Sequence, residues 1–173
     1  MTTTAIEQRT AAPTTWSVDP DASSVEFAVQ SFWGMITVHG RFDRFDGAYE
    51  AGPDGTRIEL TIDADSLDTG NTTRDKHLRS ADFFDVAAHP HVRFTSTRVH
   101  DVDGRTLHVV GRLEAAGRSV LLEFPARRRE VGDALEIEAT TTVDQQQLGM
   151  SSGTLGMIRR PATLHVRARL SRP

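Results

Sequence analysis

The chain contains no cysteine. Disulfides, thiolate nucleophiles and cysteine-bound metals are therefore excluded. No run approaches about 18 apolar residues, so no membrane-spanning helix is expected. The opening "MTTTAIEQRTAAPTT" lacks an apolar core and carries Glu7, Gln8 and Arg9 where a secretory signal is greasy. Residues 1–15 read as a flexible polar arm and residues 16–173 as one domain, with the cytoplasm as the default compartment. Positive charge is not in excess: the net charge is −4, which disfavours a broad nucleic-acid footprint. There is no glycine-rich phosphate loop, dinucleotide fingerprint or nucleophile elbow. "SSG" at 151–153 lacks the flanking glycines of such an elbow. Hydrophobic content of 38% is modest, yet 173 residues suffice for a single domain with a sizeable core.

What is present is a period of two. Val25, Phe27 and Val29 alternate with Glu26 and Gln30, and Ile36, Val38, Gly40 and Phe42 with Thr37, His39 and Arg41. The same alternation recurs in Ile58–Leu60–Ile62, Val92–Phe94, Leu107–Val109–Leu113 and Val120–Leu122–Phe124. It closes with Leu135–Ile137–Ala139–Val143 and Leu164–Val166–Ala168–Leu170. Such runs are half-buried strands with one apolar and one wet face. Turn signals "AGPDG", "DVDG", "AAG" and "VGD" separate them at the spacing of an antiparallel meander. The apolar face must be covered by a second sheet or by the sheet closing on itself. About eight strands make a barrel that holds side chains or one small ligand. The scarcity of helix and the absence of inward polar groups favour the hollow barrel over the sandwich.

Two irregular stretches interrupt the meander, residues 63–90 and 144–161. Within the first, "RDKHLRSADFFD" at 74–85 concentrates charge, a histidine and two phenylalanines. Asn71 or Thr72 can cap a short helix with Asp75 in its opening turn. Asp75 and Arg79 are spaced for a surface ion pair. His77, Ala81 and Phe84 would share a helical face, with Leu78 beside it.

Several segments resemble the YceI-like proteins. "TWSVDPDASSVEFAVQ" is similar to the family's opening, and "VHGRFDRFDGAYE" to its Gly-x-Phe-x-x-Phe-x-Gly strand. "IDADSLDTGNTTRDKHLRSADFFDVAAHPHVRFTST" resembles its most specific segment almost throughout, and "VVGRLEAAGRSVLLEF" a later turn and strand. The resemblance covers residues 15–171. It implies an elongated, lipocalin-like antiparallel β-barrel that binds a polyisoprenoid, an isoprenoid quinone or a long-chain lipid or amide along its axis. It implies no catalysis and no cofactor beyond such a bound lipid or quinone. Relatives often dimerise, so the resemblance makes a homodimer a fair guess. Many relatives are periplasmic. This chain departs at "EAAGRSV", and at "DQQQLG", where Gln145 stands for an arginine and Leu148 for a phenylalanine.

The expected lumen is lined by Phe27, Val29, Val38, Phe42, Leu60, Ile62, Phe94, Val109, Leu122, Phe124 and Ile137. The insert adds Arg74, His77, Leu78, Phe83 and Phe84 at its mouth. There His77 either contacts a polar head group or bonds a neighbouring carbonyl. Arg74, Asp75 and Arg79 either hold a phosphate or head group or form a solvated face. His89 and His91 in "HPH" suggest a metal pair, but they fall on the outward parity, as do His39, His108 and His165. Asp75, Asp82 and Asp85 are the carboxylates available for acid–base work, and all sit on the insert. Arg127–Arg129 and Arg159–Arg160 read as strand-end or anion contacts. The function expected is non-enzymatic binding, storage or transport of an elongated apolar molecule. An enzyme acting on an isoprenoid or quinone would instead need a buried ionisable pair in the lumen. A partner-binding module would have its lumen filled, with the phenylalanines as the filling.

Overall fold

The computed structural model describes residues 12–31, 36–150 and 161–173. "SSG" at 151–153 and Arg159–Arg160 lie outside the described residues, as do residues 1–11 of the arm. Each alternating run forms a strand: β2 (Ser24–Ser31), β3 (Ile36–Phe42), β5 (Gly55–Asp63), β7 (His91–Asp101), β8 (Thr106–Ala115), β9 (Arg118–Val131), β10 (Ala134–Val143) and β11 (Ala162–Ser171). Three further strands carry no clear alternation: β1 (Thr14–Val18), β4 (Phe45–Gly52) and β6 (Leu67–Asp68). β1 begins just inside the stretch read as an arm. β4, "FDGAYEAG", is rich in glycine and alanine, which have low strand propensity. Its ladders hold it instead, to β5 from Phe45↔Ile62 to Gly52↔Gly55 and to β1 from Thr14↔Ala51 to Ser17↔Ala48.

The order β1–β4–β5–β7–β8–β9–β10–β11 closes on itself, because β11 meets β1 again at Leu170↔Val18. This is a closed eight-stranded antiparallel barrel, not a sandwich. Closure leaves these strands without the free edges that invite association. β2, β3 and β6 lengthen the wall beyond that ring. β2 continues β1 along the same edge of β11, with Leu164 opposite Phe27. A single 3₁₀ turn, Pro20–Ala22, capped by the Asp19 side chain, separates the two. β3 and β4 are likewise one bent stave broken at Asp43 and Arg44, and β5 and β6 one broken at Ala64–Ser66.

β7 carries a bulge between Ser96 and Arg98. Phe94 pairs with Leu113 and Val99 with Val109, so side chains five apart both face inward. The extra residue reverses the inside–outside parity of the rest of the strand. The Ser96 hydroxyl accepts from the Ile58 amide at 2.8 Å, and the Thr97 hydroxyl donates to the Val110 carbonyl at 3.2 Å. These bonds satisfy backbone groups that the bulge removes from the ladder.

Residues 69–90 bridge β6 and β7. Helix α1 (Thr72–Leu78) starts at Asn71, whose side chain accepts from the Arg74 amide at 3.0 Å. It stops at Leu78, so Ala81 and Phe84 lie in the turns that follow and not on a helical face.

Candidate ligand-binding lumen

The inward faces enclose a cavity of about 540 Å³. The structure places Phe27, Val29, Val38, Phe42, Leu60, Ile62, Phe94, Val109, Leu122, Phe124 and Ile137 on its wall. Arg74, His77, Leu78, Phe83 and Phe84 from the insert line it too. Sequence reasoning missed Tyr49, Gln145, Leu148 and Met150, which also line it. Tyr49 belongs to the unrecognised β4, and the other three to the segment after β10. Alternating alanines such as Ala126, Ala139 and Ala168 keep the bore wide.

The phenylalanines do not fill the space, because two of them lie over glycines. Phe27 sits directly opposite Gly40, and a Cβ built on Gly40 would come 2.3 Å from the Phe27 ring. Phe94 covers Gly111 in the same way, at 2.4 Å. Only glycine lets a ring approach the neighbouring strand this closely. From Phe27 the rings step to Phe42 at 5.5 Å and on to Phe84 of the insert at 5.8 Å. The insert is thereby packed onto the wall at one end of the lumen. That end also holds the β8–β9 turn, where Gly117 lies against His89 of the insert, and residues 144–150, where Gly149 lies against Arg118.

The charges of this insert are arranged differently from the expected surface pair. Asp75 is buried, and it meets Arg79 through the backbone alone, its carbonyl accepting from the Arg79 amide at 3.1 Å. Its carboxylate accepts from the Thr69 hydroxyl at 2.5 Å and from the Thr69 amide at 3.0 Å. Arg74 donates to the same hydroxyl at 2.8 Å and to the Thr69 carbonyl at 2.9 Å. Arg79 reaches back to the Leu67 and Asp65 carbonyls and pairs with the Asp65 carboxylate at 3.2 Å. The helix is so short that backbone carbonyls of the preceding turn come within reach, and they outcompete the i,i+4 geometry. Both arginines therefore brace the insert. His77 is exposed, with its ring against Phe83 at 5.0 Å.

The opposite end is closed by side chains. Below Ala126 on β9, Arg128 points inward and donates to the Tyr49 hydroxyl at 3.3 Å and to the Gly104 carbonyl at 3.0 Å. It pairs with Asp101 at 2.8 Å. Its bond to Tyr49 leads in holding the guanidinium above its ordinary pKa; Asp101 adds to this, while partial burial opposes it. Nearly all ionisable residues have outward parity in the sequence, and Arg128 and Asp101 are exceptions. Arg128 has inward parity on β9, and the β7 bulge turns Asp101 inward. The strand histidines His108 and His165 keep to the outside: His108 pairs with Glu123 at 2.9 Å and His165 bonds Thr140 at 2.7 Å. No metal-holding group of acidic and histidine side chains exists among the described residues.

A family model for the YceI-like domain matches residues 16–170. This chain belongs to the YceI-like family. The Escherichia coli O6:H1 protein YceI is 38% identical over 112 residues, which is 63% of this chain and 58% of that protein. The chain thus spans less than two thirds of the length of the relatives it matches. BcnA of Burkholderia cenocepacia superposes with a TM-score of 0.78 at 19% identity, covering 88% of this chain and 98% of BcnA. A Saccharophagus degradans domain, described as polyisoprenoid-binding and implicated in plant cell wall breakdown, gives 0.75 at 18% identity. It covers 91% of this chain and 98% of that domain. At these identities the likeness establishes the lipocalin-like YceI barrel. Gln145 and Leu148, from "DQQQLG", both line the lumen.

Proposed function

We propose that this protein binds an elongated apolar molecule in its lumen and carries it without chemical change. The reading rests on one observation: a closed barrel whose cavity of about 540 Å³ is walled by aliphatic and aromatic carbon. Neither a metal cluster nor an acid–base pair occurs on that wall among the described residues. Among the described residues Glu59 is the one carboxylate on the lining itself, and its side chain pairs with Arg57; Asp101, at the floor, is engaged by Arg128.

At roughly 30 Å³ per small group, the cavity has room for about eighteen non-hydrogen atoms. Burying about 300 Å² of ligand surface yields roughly 7 kcal/mol before association costs. Both figures suit a chain of a few isoprene units, alone or on a quinone, or a long-chain lipid or amide. The Saccharophagus relative, described as polyisoprenoid-binding, points the same way. The insert stands at the mouth, where a long chain passes Phe83, Phe84 and the exposed His77.

The test is organic extraction of the purified protein followed by mass spectrometry, joined to titration with a fluorescent isoprenoid. A stoichiometric apolar molecule in the extract, or saturable binding by the emptied protein, is the expected result. A clean extract together with no saturable binding refutes the proposal.

A further inference from the structure

The closed end of the lumen holds a polar group that the walls do not explain. Tyr49 lines the cavity and is 2% exposed. Its ring is fixed edge-on against Trp16, with centroids 5.5 Å apart. Arg128 approaches from the layer beneath and donates to the hydroxyl oxygen at 3.3 Å. That bond occupies an oxygen lone pair and leaves the hydroxyl proton free to donate. No acceptor for that proton is found among the described residues. Ile58, its register partner on β5, is apolar, and the Asp101 carboxylate and Gly104 carbonyl nearby are taken up by Arg128. A buried donor left without a partner costs about 1–3 kcal/mol. An acceptor arriving through the lumen removes that cost.

We propose that the floor of the lumen is a receptor for one neutral hydrogen-bond acceptor, with Tyr49 as the donor and Arg128 as its positioning residue. This rests on the lumen-binding reading above and names the polar group that such a ligand brings. The charge balance selects the class. Arg128 is already matched by Asp101 at 2.8 Å and by the Gly104 carbonyl, so the floor carries no surplus positive charge for a phosphate. A carbonyl oxygen, as in an isoprenoid ketone, a quinone or a long-chain amide, needs only the one donor that is present. At the mouth the two arginines are braced on the backbone of the insert, so neither stands ready for an anion. The ligand therefore sits with its carbonyl end deepest and its chain toward residues 74–85.

The experiment compares three probes on the intact protein and on Tyr49→Phe: farnesylacetone, the saturated or unsaturated hydrocarbon of equal carbon count, and farnesyl diphosphate. The wild type should prefer the ketone over the hydrocarbon by about five- to tenfold, the worth of one net hydrogen bond. Tyr49→Phe keeps the ring and its packing. It should bind the hydrocarbon as the wild type does and lose the preference. The infrared carbonyl stretch of bound ketone should lie at lower frequency in the wild type than in Tyr49→Phe. Arg128→Gln should give a smaller downshift with hydrocarbon binding retained, the signature of positioning. A preference that survives Tyr49→Phe, or a diphosphate that binds more tightly than the ketone, overturns the proposal. Hydrocarbon binding with no ketone preference overturns it while sparing the lumen reading. Failure of both apolar probes overturns the two together.

Discussion

Replacing Gly40 by alanine tests whether the bore is held open by a ring laid over a glycine. An added methyl would meet the Phe27 ring at 2.3, 2.6 and 2.9 Å, and no other atom lies among its three nearest neighbours. The only group that can give way is the ring. Alanine itself suits a strand better than glycine by about 0.5–1 kcal/mol, while overpacking a formed wall costs about 1–3 kcal/mol. The net effect is a loss of about 1–2 kcal/mol, or a fall in Tm of roughly 2–8 °C for a chain of this size. The more telling effect is on volume. A ring turned inward takes its space from the 540 Å³ of the lumen. A ligand deprived of about 60 Å² of wall contact loses roughly 1.5 kcal/mol, so its Kd rises about tenfold. Calorimetric melting and titration with a fluorescent isoprenoid measure the two effects. Adding Phe27→Leu to Gly40→Ala should restore affinity. Wild-type affinity and Tm in Gly40→Ala would refute the ring-on-glycine account.

Other perturbations have equally defined outcomes. Asp75→Ala leaves the Thr69 hydroxyl and amide without their buried acceptor, and should cost about 2–3 kcal/mol by urea unfolding. It should also speed hydrogen exchange in residues 69–79 before the barrel opens. Ala116 at φ 49° and Gly117 at φ 74° form the β8–β9 turn, so Ala116→Asn should raise Tm by about 1–4 °C, because asparagine tolerates this backbone better. Asp63 is held below the ordinary aspartate value of 3.8, first by its hydrogen bond from Arg44. Its stabilisation is fully present above that value and is lost as pH falls through the lowered folded pKa. Arg44→Gln should therefore flatten the acid limb of the stability–pH curve below about pH 4, with little change in its shape near neutrality.

The barrel wall was legible because alternation reports a half-buried strand directly. Phe27, Ile62, Phe94, Leu122 and Ile137 all have the facing their parity assigns. The floor was not, for two local reasons. Thr97 adds one residue to β7 and turns Val99 and Asp101 inward, and no composition signal marks the bulge. Tyr49 sits in a strand whose glycines and alanines conceal it, so its meeting with Arg128, 79 residues away, exists only once the barrel closes. At the insert, the Asn71 cap could be read from its side-chain chemistry. The partner of Asp75 could not, because Thr69 precedes the helix and competes with the i,i+4 arginine only in the folded turn.

The two ends of the barrel are built from different kinds of chain. The mouth consists of connecting segments between strands, whereas Tyr49 and Arg128 at the floor are residues of the ladder itself. Loops accept substitution and insertion readily, while a change in a closed ladder is felt around the whole ring. If the lumen binds as proposed, entry and recognition are physically separate traits. A lineage can lengthen, shorten or recharge the segments at 69–90 and 144–150, altering how fast a molecule enters, while the donor proposed at the floor is left untouched.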